Sequence, residues 1–98
     1  MRRAAKVDAN HSRIIDTLRA AGISVHDASA VGQGFPDLVC GYGGRTFLVE
    51  VKDGAKFPSQ RKLTKHQEAF RAAWKGHYMV LETVEAAKLW AIAVTKKL

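Results

Sequence analysis

The chain has 98 residues, 47% apolar and 26% charged, with one cysteine and a net charge of +7. That length suits one domain with an ordinary core, and the composition excludes an internal disulfide, a multi-thiolate zinc cluster and extensive disorder. No apolar run reaches the roughly 18–20 residues of a membrane span. The basic start, MRRAAKVDAN, is followed by no apolar signal core, so the expectation is a cytoplasmic protein.

Sixteen Lys and Arg against nine Asp and Glu and a pI near 9.9 favour a polyanionic partner, nucleic acid above all. The excess is concentrated between Ala55 and His77, where Lys56, Arg61, Lys62, Lys65, Arg71 and Lys75 face a single acid, Glu68. Charge alone leaves a partner surface and a solvated face equally open.

In chain order, residues from about Asp8 to Ala21 read as a helix. Ile14, Ile15, Leu18 and Ala21 recur at helical spacing, and Gly22 ends it. Ile23 to Ala28 alternates as a short strand, and Ser29 to Phe35 is a glycine-bearing loop. Asp37 to Gly41 and Arg45 to Lys52 are two strands joined by the turn Gly41-Tyr42-Gly43-Gly44. Asp53 to Lys62 is a basic loop around Pro58. Thr64, with Gln67 three residues later, opens a second helix that Gly76 closes. Tyr78 to Glu82 is a fourth strand, and Thr83 caps a last helix of about eleven residues. The order α-β-β-β-α-β-α predicts a small mixed sheet flanked by helices, with the last strand able to lie parallel.

On the third strand, Phe47, Val49 and Val51 point to one face, while Leu48, Glu50 and Lys52 point to the other. A carboxylate and an ammonium on an otherwise apolar strand need partners or a task. The hairpin brings Asp37 toward the same end of the sheet as Glu50. Two carboxylates there, with the Val51 carbonyl as a further ligand, form a hard-oxygen site for Mg²⁺ or Mn²⁺. Such an ion polarises a phosphate and lowers the pKa of a bound water, while Lys52 orients that water or offsets developing charge.

Pro36-Asp37 followed by Glu50-Val51-Lys52 resembles the signature of the PD-(D/E)xK nucleases. The stretches Gly34-Phe35-Pro36-Asp37-Leu38, Gly41-Tyr42-Gly43-Gly44-Arg45 and Leu48 to Gly54 narrow the resemblance to the VRR-NUC family in its small stand-alone phage and bacterial form. The resemblance implies a restriction-endonuclease-like α/β fold over residues 1–98 and a metal-dependent endonuclease. It also implies that Gln67 orients the water or Glu50. Leu63, Gln67, Phe70 and Trp74 share one helical face, and three of them are expected core anchors, so the amide should point toward the sheet. An inward glutamine bonded only to backbone is the alternative. Relatives often add an acidic ligand from the first helix. Asp8 and His11 are the candidates here, although Asp8 also suits a helix N-cap.

Cys40 reads as a small core residue. His11, His26, His66 and His77 lack zinc-ligand spacing. Phe70, Trp74 and Trp90 read as core. Lys56, Arg61, Lys62 and Lys65 are expected to contact DNA phosphates, with Tyr42 on the glycine turn as a further contact. No motif for base readout is present, so selectivity would rest on DNA shape. A homodimer suits the two-fold symmetry of a four-way junction, and small members of the family resemble Holliday junction resolvases. The last helix, Val84 to Val94, is apolar nearly all round and suits either a dimer interface or the core. A nicking, flap or restriction-type nuclease, an inactive DNA-binding module, and a protein docking partners through the last helix are the alternatives.

Overall fold

The computed structural model describes residues 8–96; the rest of the basic start lies outside the described residues. The elements are α1 (His11–Ala20), β1 (Ser24–Asp27), β2 (Leu38–Tyr42), β3 (Arg45–Val51), α2 (Lys65–Ala73), β4 (His77–Leu81) and α3 (Val84–Thr95), in the order the sequence predicts. The strands form one sheet, β1-β2-β3-β4, antiparallel from β1 to β3 and parallel between β3 and β4. The connections explain the difference, since a crossover through α2 separates the parallel pair, whereas a tight turn joins β2 to β3. That turn is Gly43-Gly44, with φ of 59° and 77°. Positive φ at both central residues is what a type I′ hairpin requires. The turn is therefore shorter than predicted, and Gly41 and Tyr42 belong to β2, with Tyr42 paired to Arg45.

One face of the sheet carries the core. Leu38, Cys40, Phe47, Val49, Val51 and Leu81 lie under Ile14, Ile15 and Leu18 of α1 and Ala87, Ala91 and Val94 of α3. Each fully buried leucine or isoleucine there contributes about 1.5–3 kcal/mol. Burial pushes the Cys40 thiol up to about 11, as befits a small core residue. Trp90 of α3 meets Phe47 edge-on at 5.4 Å, and Arg45 Nη2 donates to the Val94 carbonyl at 3.0 Å near the end of α3. No helix among the described residues is long and apolar enough to cross a membrane.

Two expectations are corrected at the helix starts and faces. Asn10, not Asp8, occupies the N-cap position of α1, and its side chain does not cap the helix. Its Nδ2 instead donates to the carbonyls of Lys52 (3.1 Å) and Glu82 (2.9 Å). Leaving those carbonyls unsatisfied inside the fold would cost more than an open helix end that water can reach.

The second correction concerns α2, which covers the other face of the sheet and buries none of its residues. Phe70 leans on Phe35 (5.4 Å) and Tyr78 (6.5 Å), while Leu63 is only half-buried. Trp74 is 41% exposed and stacks on Phe70 at 5.6 Å. A nine-residue helix resting on a narrow sheet face satisfies its aromatic rings largely against one another. The helix ends at Ala73, where Trp74 turns to φ −75°, ψ 129° and donates Nε1 to the His77 carbonyl at 3.1 Å. Gly76 lies against that indole, where a Cβ would stand 2.9 Å from Nε1.

Candidate active site

The hairpin register creates the site. Leu38 pairs with Val49, so Asp37, just before β2, stands level with the end of β3. Its Oδ2 accepts the Val51 N–H at 2.9 Å, which anchors the carboxylate where the β2–β3 ladder stops. Its own carbonyl accepts from Ala28 N at 2.7 Å, and Pro36 before it is fully buried. Asp37 is thus held by backbone on both sides.

Glu50 lies one residue before that anchor and is 2% exposed. Its Oε2 accepts Gln67 Nε2 at 2.9 Å and stands 4.0 Å from Lys52 Nζ. Lys52 Nζ in turn donates to Gln67 Oε1 at 2.8 Å. The same Oε1 accepts the Thr64 N–H at 2.9 Å, and Thr64 Oγ1 accepts Gln67 N at 3.2 Å, completing a capping box. Two donors on Oε1 leave Nε2 as the amide end facing Glu50. The expected inward amide is therefore present, held by side chains as well as by backbone.

Burial first, and the Asp37 charge second, push the Glu50 carboxyl up to about 8; Lys52 opposes this and Asp8 adds to it. Glu50 Oε1 is buried with no partner. A buried, unpaired carboxylate oxygen beside a second carboxylate is a group that a hard cation would satisfy, and the donor set fits Mg²⁺ or Mn²⁺. Among the described residues no three Asp, Glu, His or Cys side chains form a ready-made cage, so water or backbone would complete the coordination.

The other predicted residues divide. Asp8 is near enough for its charge to act on Glu50, but its Oδ1 pairs with Lys56 Nζ at 3.2 Å. His11 is buried elsewhere, with Nε2 3.3 Å from Asp27 Oδ2. Arg61 Nη1 pairs with Glu82 Oε1 at 2.6 Å, so the loop after β3 is strapped beside the site. Lys62 and Lys65 are exposed. Tyr42 lies at the opposite end of the hairpin, packed on the core, away from Asp37 and Glu50.

Two residues at the site escape a reading of local pattern. Asn10 looks like any helix-starting asparagine until the carbonyls it serves are placed. Tyr78 pairs with Leu48 on β3, and its hydroxyl is buried without a partner. Burial and the Glu50 charge push it up to about 12. Its position follows only from the parallel β3–β4 register.

No family model and no curated protein matches the chain. A solved structure described as a VRR_NUC domain is similar over 92% of this chain and 100% of its own, with a TM-score of 0.58 and 23% identity. The small mixed sheet with its three helices is thus the restriction-endonuclease-like fold of a VRR_NUC domain.

Proposed function

We propose that the chain is a nuclease domain, residues 1–98, that hydrolyses DNA phosphodiester bonds with a divalent metal. The observation that carries this reading is the convergence of Asp37, Glu50, Lys52 and Gln67 at one end of the sheet. In this reading Asp37 and Glu50 hold Mg²⁺ or Mn²⁺. Val51 assists through its carbonyl, which leaves the strand on the same edge as the N–H that binds Asp37. The ion would supply Lewis-acid stabilisation of charge on the phosphate oxygens.

The protein's own groups do the remaining work. Gln67 orients Glu50 and Lys52, and the Lys52 ammonium, 2.8 Å from Gln67 Oε1, offsets charge as the phosphorus–oxygen bond breaks. Lys62 and Lys65 provide phosphate contacts, joined by Lys56 and Arg61 once DNA displaces Asp8 and Glu82. Such an enzyme would act in the cytoplasm.

The substrate reading is a branched DNA, with Holliday junction resolution by a homodimer first. Leu89 and Ile92 of α3 are 70% and 63% exposed. A groove between α1 and α3 is lined by Ala20, Ala91 and Ile92 and carries Asp16 and Lys88. Opposite charges on one apolar groove suit a two-fold contact, which uses each pair twice. A nicking or flap nuclease uses the same site without the second subunit.

A second reading is a DNA-binding module that does not cut. Such a module would need only the +7 net charge to hold the phosphate backbone. Cleavage of end-labelled four-way junction, flap and duplex in Mg²⁺, Mn²⁺ or EDTA, by wild type and Lys52→Ala, tests both. Paired symmetric nicks on the junction, lost in EDTA and in the variant, are expected. Flap or duplex cleavage alone would retire the resolvase, and binding without any cut would retire the enzyme.

A further inference from the structure

Phe57 is 75% exposed, the most exposed of the large apolar side chains among the described residues. Leaving it in water forgoes about 1.5–3 kcal/mol of burial. It does not sit on a loose tip. Its backbone is extended (φ −59°, ψ 150°) and is restricted by Pro58, which opens the one-turn 3-10 helix Pro58–Gln60. Gln60 N donates back to the Phe57 carbonyl at 2.8 Å. On the near side, Gly54 N donates to the Glu82 carbonyl at 2.9 Å and Lys56 N to the Asp53 carbonyl at 3.1 Å. The Lys56–Asp8 and Arg61–Glu82 pairs fasten both ends of the segment, and Asp8 lies near enough to Glu50 for its charge to act there.

The surroundings of this ring identify its partner. From Gly54 to Gln67 the chain itself carries Lys56, Arg61, Lys62 and Lys65 and no acid; Lys56 and Arg61 pair with Asp8 and Glu82, and Lys62 and Lys65 are exposed. The exposed Leu89 and Ile92 lie instead on an apolar helix, where a protein partner is the natural cover. A rigid aromatic face set among cations matches a nucleic-acid strand, whose bases stack while its phosphates pair.

We propose that Phe57 is a stacking platform for an unpaired base, so that the site takes DNA with unpaired nucleotides beside the cut phosphate. This rests on the nuclease reading above and narrows its substrate class to a flap, a gap or a junction whose crossover has opened, since a fully paired junction offers no free base face. Stacking on a phenyl ring needs an open base face and is indifferent to base identity, so an intact duplex gains nothing from Phe57. The platform accordingly confers selection for opened DNA without sequence readout.

The test is binding in EDTA, which prevents cleavage, of intact duplex, gapped duplex and single strand by wild type, Phe57→Ala and Phe57→Trp. An unpaired 2-aminopurine in the gap reports stacking by its fluorescence. Phe57→Ala is expected to weaken the gapped and single-stranded complexes by about 5- to 150-fold, the ratio produced by base–aromatic stacking. It should leave duplex binding within about twofold and remove the 2-aminopurine fluorescence change, while Phe57→Trp restores the gapped and single-stranded binding and the fluorescence change. Equal loss on all DNAs, or no loss on any, overturns the platform and leaves the nuclease reading standing. A wild-type protein that binds no DNA overturns both.

Discussion

Gln67 donates its amide to Glu50 at 2.9 Å while its carbonyl oxygen closes the cap of α2. The side chain that starts the helix therefore also holds the buried carboxylate, and docking of α2 and assembly of the site are one event. Gln67→Ala removes both functions. It should lower unfolding free energy by about 1–2 kcal/mol and cleavage by at least about 10-fold. Gln67→Glu keeps the capping box but sets a further carboxylate against Glu50, so cleavage should fall while helix content is retained. Urea unfolding and single-turnover cleavage of the three proteins check this. Unchanged cleavage in both variants would remove Gln67 from the site.

Glu50 gives the metal-free protein a predictable pH dependence. Its folded pKa, about 8, lies above the ordinary 4.5, so between those values the folded state binds a proton that the unfolded state has released. Stability should therefore fall as pH rises from about 4.5 to about 8. Melting temperatures in EDTA should show this slope, and Glu50→Gln should flatten it. Metal binding needs the ionised form, so added Mg²⁺ should release a proton below pH 8 and restore stability near it. A flat wild-type profile in EDTA would contradict the burial argument.

Gly34 sets the distance between the Asp37 loop and α2. Its φ is +85°, and a Cβ would collide with the His66 carbonyl. Gly32, at φ +72°, has open space around it. Alanine at Gly32 should cost only backbone strain, about 1–3 kcal/mol. Alanine at Gly34 should cost more, and should also separate Gln67 from Glu50 and depress cleavage. Denaturation and activity of the two variants make the comparison, and equal effects would assign Gly34 a purely conformational role.

The exposed face of α3 makes the proposed dimer testable without touching the site. Leu89→Lys and Ile92→Lys replace exposed side chains, so folding should persist. Sedimentation should show wild type as a dimer and the double variant as a monomer, with paired junction nicks reduced to single ones. A monomeric wild type would end the resolvase reading and leave the nuclease one.

The sequence by itself determined what local hydrogen bonding and alternation control. The glycines from Gly41 to Gly44 mark a hairpin between β2 and β3. Only the structure shows that Gly41 and Tyr42 belong to β2 and that Gly43-Gly44 alone turns, which sets the register and the level of Asp37 beside Glu50. The Thr64–Gln67 pattern sets the start of α2, and Thr83 the start of α3. These interactions span a few residues, so composition and spacing suffice for them. Tertiary structure alone decided how distant segments used their polar groups. Asn10 serves carbonyls at Lys52 and Glu82 rather than its own helix. Arg61 and Lys56 meet Glu82 and Asp8. Phe70 and Trp74 stack outside the core although their spacing matches a buried face. The reason is physical: a periodic pattern states which side chains share a face, but whether that face is covered depends on the elements packed against it.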